Sequence, residues 1–159
     1  MGFGHRYDGA REALTLDLVY LPSSFPSRQV SSHRKCTSVA RILVADDDEA
    51  DRQLIQAILE RAGHETVLVE DGEKALSACR SERFDVVIAD LQMPKVHGFE
   101  LITALRESDQ PPPIIAVSGT GHHQLAIADA LGAKFTLSKP ADPDALLTAV
   151  HQLLRFAPD

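Results

Sequence analysis

Cysteine is scarce in this chain, with two residues among 159, Cys36 and Cys79. Two thiols cannot build the disulfide framework of a small secreted domain, and no Cys/His cluster has zinc-ligand spacing. Cys79 therefore reads as a small buried apolar residue, and a reducing, cytoplasmic setting is expected. Long apolar runs are also missing. The longest early stretch, LTLDLVYL, is short and is broken by Asp17, so no transmembrane helix is expected. The N-terminus lacks the basic-then-apolar order of a signal peptide.

Basic charge is scarce where it would matter. The formal net charge is −7, with residues 1–38 at +2 and the remainder at −9. Such an acidic body is a poor partner for nucleic-acid backbone or an anionic membrane surface, and it suits a cation instead. A hydrophobic fraction of 44% leaves enough apolar residues for one domain with a core.

Residues 1–39 differ in character from the rest of the chain. The stretch PSSFPSRQVSSHRKCTS has no apolar period and is rich in Ser, Pro and basic residues. It is expected to be a disordered or mis-annotated extension, the true start lying near Val39. Within it, Arg11 to Leu21 has the pattern of a short helix or strand. From Arg41 strand and helix signals alternate. RILVA, ETVLVE, FDVVIAD, PIIAVSG and KFTLS read as strands. Helical patterns lie between and after them. The first puts Leu54, Ile55, Ile58 and Leu59 on one face and ends at Gly63. GEKALSACRS and FELITALRES are the second and third helices, and Gln124 to Leu131 the fourth, ending at Gly132. The last is DPDALLTAVHQLLRF, with Asp142 as its N-cap and Pro143 at its first position. Five such units predict an α/β fold with a parallel sheet covered by helices on both faces. Ligands then bind beyond the carboxyl ends of the strands.

Those ends carry the chemistry. The first strand delivers Asp46, Asp47 and Asp48, the third Asp90, the fourth Ser118 and the fifth Lys139. Clustered carboxylates need a cation, and Mg²⁺ takes oxygen ligands at about 2.0–2.1 Å. A carboxylate beside such a cation can attack a phosphoryl group, while a lysine and a hydroxyl hold its other oxygens. Asp48 is separable from the set as the N-cap of the first helix.

ILVADDDEADR, FDVVIADLQMPKVHGFELI, PPIIAVSG and SKP, in this order, resemble the receiver domain of two-component response regulators over residues 41–156. The resemblance implies a flavodoxin-like sheet of order 2-1-3-4-5 over residues 40–157. It makes Asp90 the phosphoacceptor. Asp46, Asp47, Asp90 and the backbone carbonyl of Gln92 become the Mg²⁺ ligands, with Asp46 acting partly through water. Ser118 and Lys139 become the residues that hold the phosphoryl group. Met93, Pro94 and Gly98 match the loop that shapes the acceptor site, and the Lys139-Pro140 bond is expected to be cis. The implied donor is a sensor histidine kinase or phosphotransfer protein. Only Ala-Pro-Asp comes after Phe156, so a stand-alone regulator signalling by protein contact is expected, accepting phosphate and slowly dephosphorylating itself without being a turnover enzyme.

Two positions depart from the family pattern. The aromatic usual three residues before the lysine is Thr136 here, and Phe135 should face the other side of the sheet. The position after Lys-Pro, often Phe, is Ala141. A phosphorylation-independent receiver-like binding module is the alternative that Thr136 motivates. A second alternative is a phosphohydrolase of the haloacid-dehalogenase type, since Asp46–Asp48 contains Asp-x-Asp. That family needs a further acidic pair after the lysine, and this chain offers only Asp142 and Asp144 there. His97, His122 and His123 do not make a metal site: adjacent helix residues such as His122 and His123 do not share a face, no third ligand is evident, and that pair reads as a solvated or partner-facing helix start.

Overall fold

The computed structural model describes residues 39–94, 96–119 and 121–155, with the side chains of 121 and 122 excepted. The extension expected over residues 1–39, including Cys36 and the Arg11 to Leu21 segment, lies outside the described residues apart from Val39. The elements are β1 (Arg41–Ala45), α1 (Glu49–Arg61), β2 (Glu65–Val69), α2 (Gly72–Ser81), β3 (Val86–Asp90), α3 (Gly98–Arg106), β4 (Ile114–Ser118), α4 (Gly121–Leu131), β5 (Phe135–Ser138) and α5 (Pro143–Arg155). All strand pairs are parallel, in the order β2-β1-β3-β4-β5.

Strand alternation divides the core into two layers. Leu43, Ala45, Val87, Ala89, Ile114 and Ala116 pack with Ala75, Leu101, Ile102, Leu105, Leu125 and Ala128 of α2, α3 and α4. Ile42, Val44, Val86, Ile88, Ile115 and Val117 pack with Ile55, Leu59, Leu146 and Val150 of α1 and α5. β3 and β4 are buried at every position, which is why they read as continuous apolar runs. Each fully buried Ile or Leu contributes roughly 1.5–3 kcal/mol, so these two strands anchor the functional edge at their carboxyl ends. Phe135 joins the α1/α5 layer, on the opposite face from Thr136, as its position in the strand requires.

Local signals set the helix ends. Asp48 caps α1, its Oδ1 accepting from the N–H groups of Ala50 (2.8 Å) and Asp51 (3.1 Å). Asp142 accepts from the Ala145 N–H at 2.8 Å and so caps α5. Gly63 and Gly132 close α1 and α4 at φ +90° and +109°, where a side chain would be strained. Two expectations are corrected. Leu54 is exposed, because the buried stripe of α1 is centred on Ile55, Ile58 and Leu59 and leaves Leu54 at its rim. α4 starts at Gly121 rather than Gln124, since neither histidine there blocks helical backbone. Among the described residues no helix is long and apolar enough to cross a membrane. Cys79 is half-buried against the α2/α3/α4 layer, and burial pushes its thiol up to about 11.

At the opposite end of the sheet from those carboxyl ends, His64 is buried beneath the start of β1. Its Nδ1 accepts the Ala40 N–H at 3.4 Å, and its ring lies 5.9 Å from that of His151 on α5. Burial and the His151 charge hold its pKa below the usual 6.5, against the opposing pull of Asp85. A base depressed in the fold resists protonation there, so its stability contribution is complete above about pH 6.5 and fades as pH falls below it. Urea unfolding should therefore show a midpoint that drops between pH 7 and pH 5.5. His64→Asn, which keeps an acceptor for Ala40 and does not titrate, should make that drop smaller. An equal drop in both proteins would rule out His64 as its source.

Candidate functional site

Parallel strands bring all their carboxyl ends to one edge, and four chain segments meet there. Asp46 comes directly after β1, Asp90 ends β3, Ser118 ends β4 and Lys139 comes directly after β5. Asp46, Asp90 and Ser118 are all buried, Asp46 completely, whereas Asp47 is exposed. Asp46 continues the alternation of Ile42 and Val44, and Asp90 that of Val86 and Ile88. The adjacent strands β1 and β3 thus carry both carboxylates on the same face.

Lys139 ties them together. Its Nζ lies 2.7 Å from Oδ2 of Asp46, 2.7 Å from Oδ2 of Asp90 and 3.1 Å from Oδ2 of Asp51. Burial works to drive the proton off this ammonium, but its pairing with the Asp46 and Asp90 carboxylates outweighs that and holds the pKa above the ordinary lysine range. Asp46 is pushed up by burial and by the charge of Asp90, and the pull of Lys139 and of the Asp48 N–H does not cancel that. One ammonium thus faces three carboxylates, those of Asp46, Asp51 and Asp90. The Lys139–Pro140 bond is cis.

The remaining bonds fix each group. Asp46 Oδ1 accepts the Asp48 N–H at 2.9 Å, and Asp90 Oδ1 accepts the Gln92 N–H at 2.9 Å. Lys139 directs a hydrogen bond at Asp90 Oδ2. Its approach to Asp46 Oδ2 is an ion pair out of hydrogen-bond alignment, which leaves that buried oxygen without a hydrogen bond. Carboxylate oxygens of Asp46, Asp47 and Asp90 lie within 4.8 Å of one another. An all-oxygen set of three carboxylates this close together fits a hard cation such as Mg²⁺.

Asp48 caps its helix and stands apart from the triplet, as the sequence implied. Met93 and Gly98 are buried in the loop after Asp90, and Pro94 is exposed. Ala141 is buried in the α1/α5 layer. His97 and His123 are exposed, and the His122 side chain lies outside the described residues. Three contacts were not foreseen from sequence: Asp51 on Lys139, the Arg52 guanidinium donating to the Asp46 carbonyl, and the Ser118 hydroxyl donating to Gln124 Oε1 at 3.1 Å. Asp51 had a usable signal. It lies in the first turn of a helix that Asp48 caps, where side chains lean back toward the N-terminus.

Comparisons with known proteins agree with this fold. Residues 42–151 match the family described as "Response regulator receiver domain". Protein PilH of Pseudomonas aeruginosa is 31% identical over 119 residues, covering 73% of this chain and 98% of PilH. The sensory/regulatory protein RpfC of Xanthomonas campestris is 32% identical over 126 residues, 76% of this chain, and this chain spans only 17% of the length of RpfC. The structure of chemotaxis response regulator CheY4 of Vibrio cholerae superposes with TM-score 0.67 at 34% identity, covering 73% of this chain and 99% of CheY4. Strand order, acidic edge and sequence match coincide, and the chain belongs to the response regulator receiver domain family.

Proposed function

We propose that Asp90 accepts a phosphoryl group from a phosphohistidine on a sensor histidine kinase or phosphotransfer protein. The observation that carries this reading is the single Lys139 ammonium shared by two buried carboxylates at the ends of adjacent strands. An Asp90 carboxylate oxygen attacks phosphorus, and the P–N bond breaks with its electron pair passing to the donor imidazole. Lys139 and the Ser118 hydroxyl then hold phosphoryl oxygens. Asp46, Asp47, Asp90 and the Gln92 carbonyl would hold Mg²⁺, which when bound offsets negative charge on the incoming group. Water later attacks phosphorus, the acyl phosphate O–P bond breaks, and the carboxylate returns with release of inorganic phosphate. The protein is thus a carrier of signal rather than a turnover enzyme, and its output is contact with another protein.

The phosphohydrolase alternative loses support, because Asp142 is engaged in capping α5, Asp144 lies in its first turn, and both are exposed. Incubation with Mg²⁺ and acetyl phosphate should add the mass of one phosphoryl group, absent in Asp90→Asn and suppressed by EDTA. No adduct with any donor or kinase would overturn the proposal and favour a phosphorylation-independent binding module.

A further inference from the structure

Ser118 is buried at the end of β4, and its Oγ–H donates to Gln124 Oε1 at 3.1 Å. Gln124 is half-buried on α4, six residues along the chain, so this bond ties the strand end to the start of a helix. A serine hydroxyl has one proton to give. In the phosphoryl-acceptor reading that proton goes to a phosphoryl oxygen, so it must leave Gln124. A hydrogen bond to an ionised oxygen is roughly twice as strong as a neutral one, so the exchange runs toward the phosphoryl group.

The surroundings leave room for this exchange. A Cβ at Gly119, the next residue, would meet none of the described residues beyond its chain neighbours within 4 Å, so there is free space beside Ser118. Gln124 also walls a groove of about 500 Å³ with Leu91, Gln92, Met93, His97 and Phe99, most of it the loop after Asp90. On β5, Thr136 pairs with Ala116, two residues before Ser118 and on the same face, and offers only a short side chain there.

The geometry points to Gln124 as a positioning residue that holds the Ser118 proton in the resting site and passes its loss to α4 when Asp90 is phosphorylated. This inference rests on the assignment of Asp90 as acceptor. It places the first step of signal output at the N-terminal part of α4, where a neutral carboxamide does what β5 has no side chain to do.

The test uses the ¹⁵N-labelled full chain with Mg²⁺ and acetyl phosphate, the Gln124 side-chain amide being followed by NMR and the adduct by intact mass. In the phosphorylated protein the Gln124 amide resonances should shift. In phosphorylated Ser118→Ala they should match those of the same variant before phosphorylation. Gln124→Leu removes the competing acceptor and should speed phosphoryl uptake about two- to tenfold, the scale of one neutral hydrogen bond. In the Ser118→Ala background it should have no effect. Unmoved Gln124 resonances in the phosphorylated wild type, or an equal effect of Gln124→Leu in both backgrounds, would overturn this inference alone. Failure to form any adduct would overturn it together with the acceptor assignment.

Discussion

Lys139→Met is expected to lower the unfolding free energy by about 3–5 kcal/mol at pH 7.5 in EDTA, the usual cost of removing one partner from a buried ion pair. The lysine side chain is 13% exposed and that of Asp46 0%, so solvent screens little of the interaction. Without the ammonium, two carboxylates that now share one Nζ at 2.7 Å face each other directly. At a separation of about 5 Å and an effective dielectric of about 20, that repulsion is roughly 3 kcal/mol. Protons or a cation can relieve it. Asp46 already sits above the usual carboxylate range, and an acid raised in the fold contributes stability below its unfolded pKa that is lost as pH rises through the folded value. The deficit of the variant relative to wild type should therefore shrink as pH is lowered from 7.5 toward 5. The His64 contribution is common to both proteins and cancels in that difference. Mg²⁺ should recover part of the loss, by about 2.7 kcal/mol at one hundred times its dissociation constant. Urea titrations with and without Mg²⁺ measure all of this. A deficit below about 1 kcal/mol that ignores both pH and Mg²⁺ would show that Lys139 does not neutralise this site.

The edge that Lys139 closes was legible because it arises from local order. Apolar runs gave the strands, Gly63, Gly132, Asp48 and Asp142 gave helix ends, and parallel topology then forced Asp46, Asp90, Ser118 and Lys139 to one edge. The split within Asp46-Asp47-Asp48 was legible as well, because a cap has its own position relative to a helix start. Contacts between elements were not. Nothing in the sequence says that His64 lies beside His151 or that Gln124 reaches Ser118, since both depend on how helices settle on the sheet. Leu54 shows the same limit at smaller scale. Periodicity gave the face of α1, and only packing located the centre of its buried stripe. The role of Gly98 lay between these cases. The family resemblance placed it in the acceptor loop, and the distances show what it does there.

Gly98→Ala should cost about 1–3 kcal/mol and slow phosphoryl uptake at Asp90, two effects with one cause. A Cβ at position 98 would overlap the Asp90 carbonyl oxygen and lie 2.6 Å from the Leu91 Cα and 3.0 Å from the Asp90 carbonyl carbon. These are backbone atoms, so no side-chain rotation relieves the overlap, and the segment that must move carries the acceptor carboxylate. Alanine ordinarily favours a helix over glycine by up to about 1 kcal/mol, which works against the loss without reversing it. Two other glycines provide a scale. At Gly72 a Cβ would meet the Val96 carbonyl oxygen at 2.6 Å and its side chain at 2.8 and 2.9 Å. Val96 is in mid-loop and can yield, so Gly72→Ala should fall between the extremes. At Gly119 no described residue beyond its chain neighbours lies within 4 Å of such a Cβ, and Gly119→Ala should match wild type or gain about 0.4–1 kcal/mol through the unfolded chain. Urea midpoints for the three variants should thus rank Gly119→Ala above Gly72→Ala above Gly98→Ala. Uptake from acetyl phosphate should fall most in Gly98→Ala, because only there does the displaced backbone belong to the acceptor. Wild-type stability and uptake in Gly98→Ala would mean that α3 can draw back from the acceptor strand without disturbing Asp90.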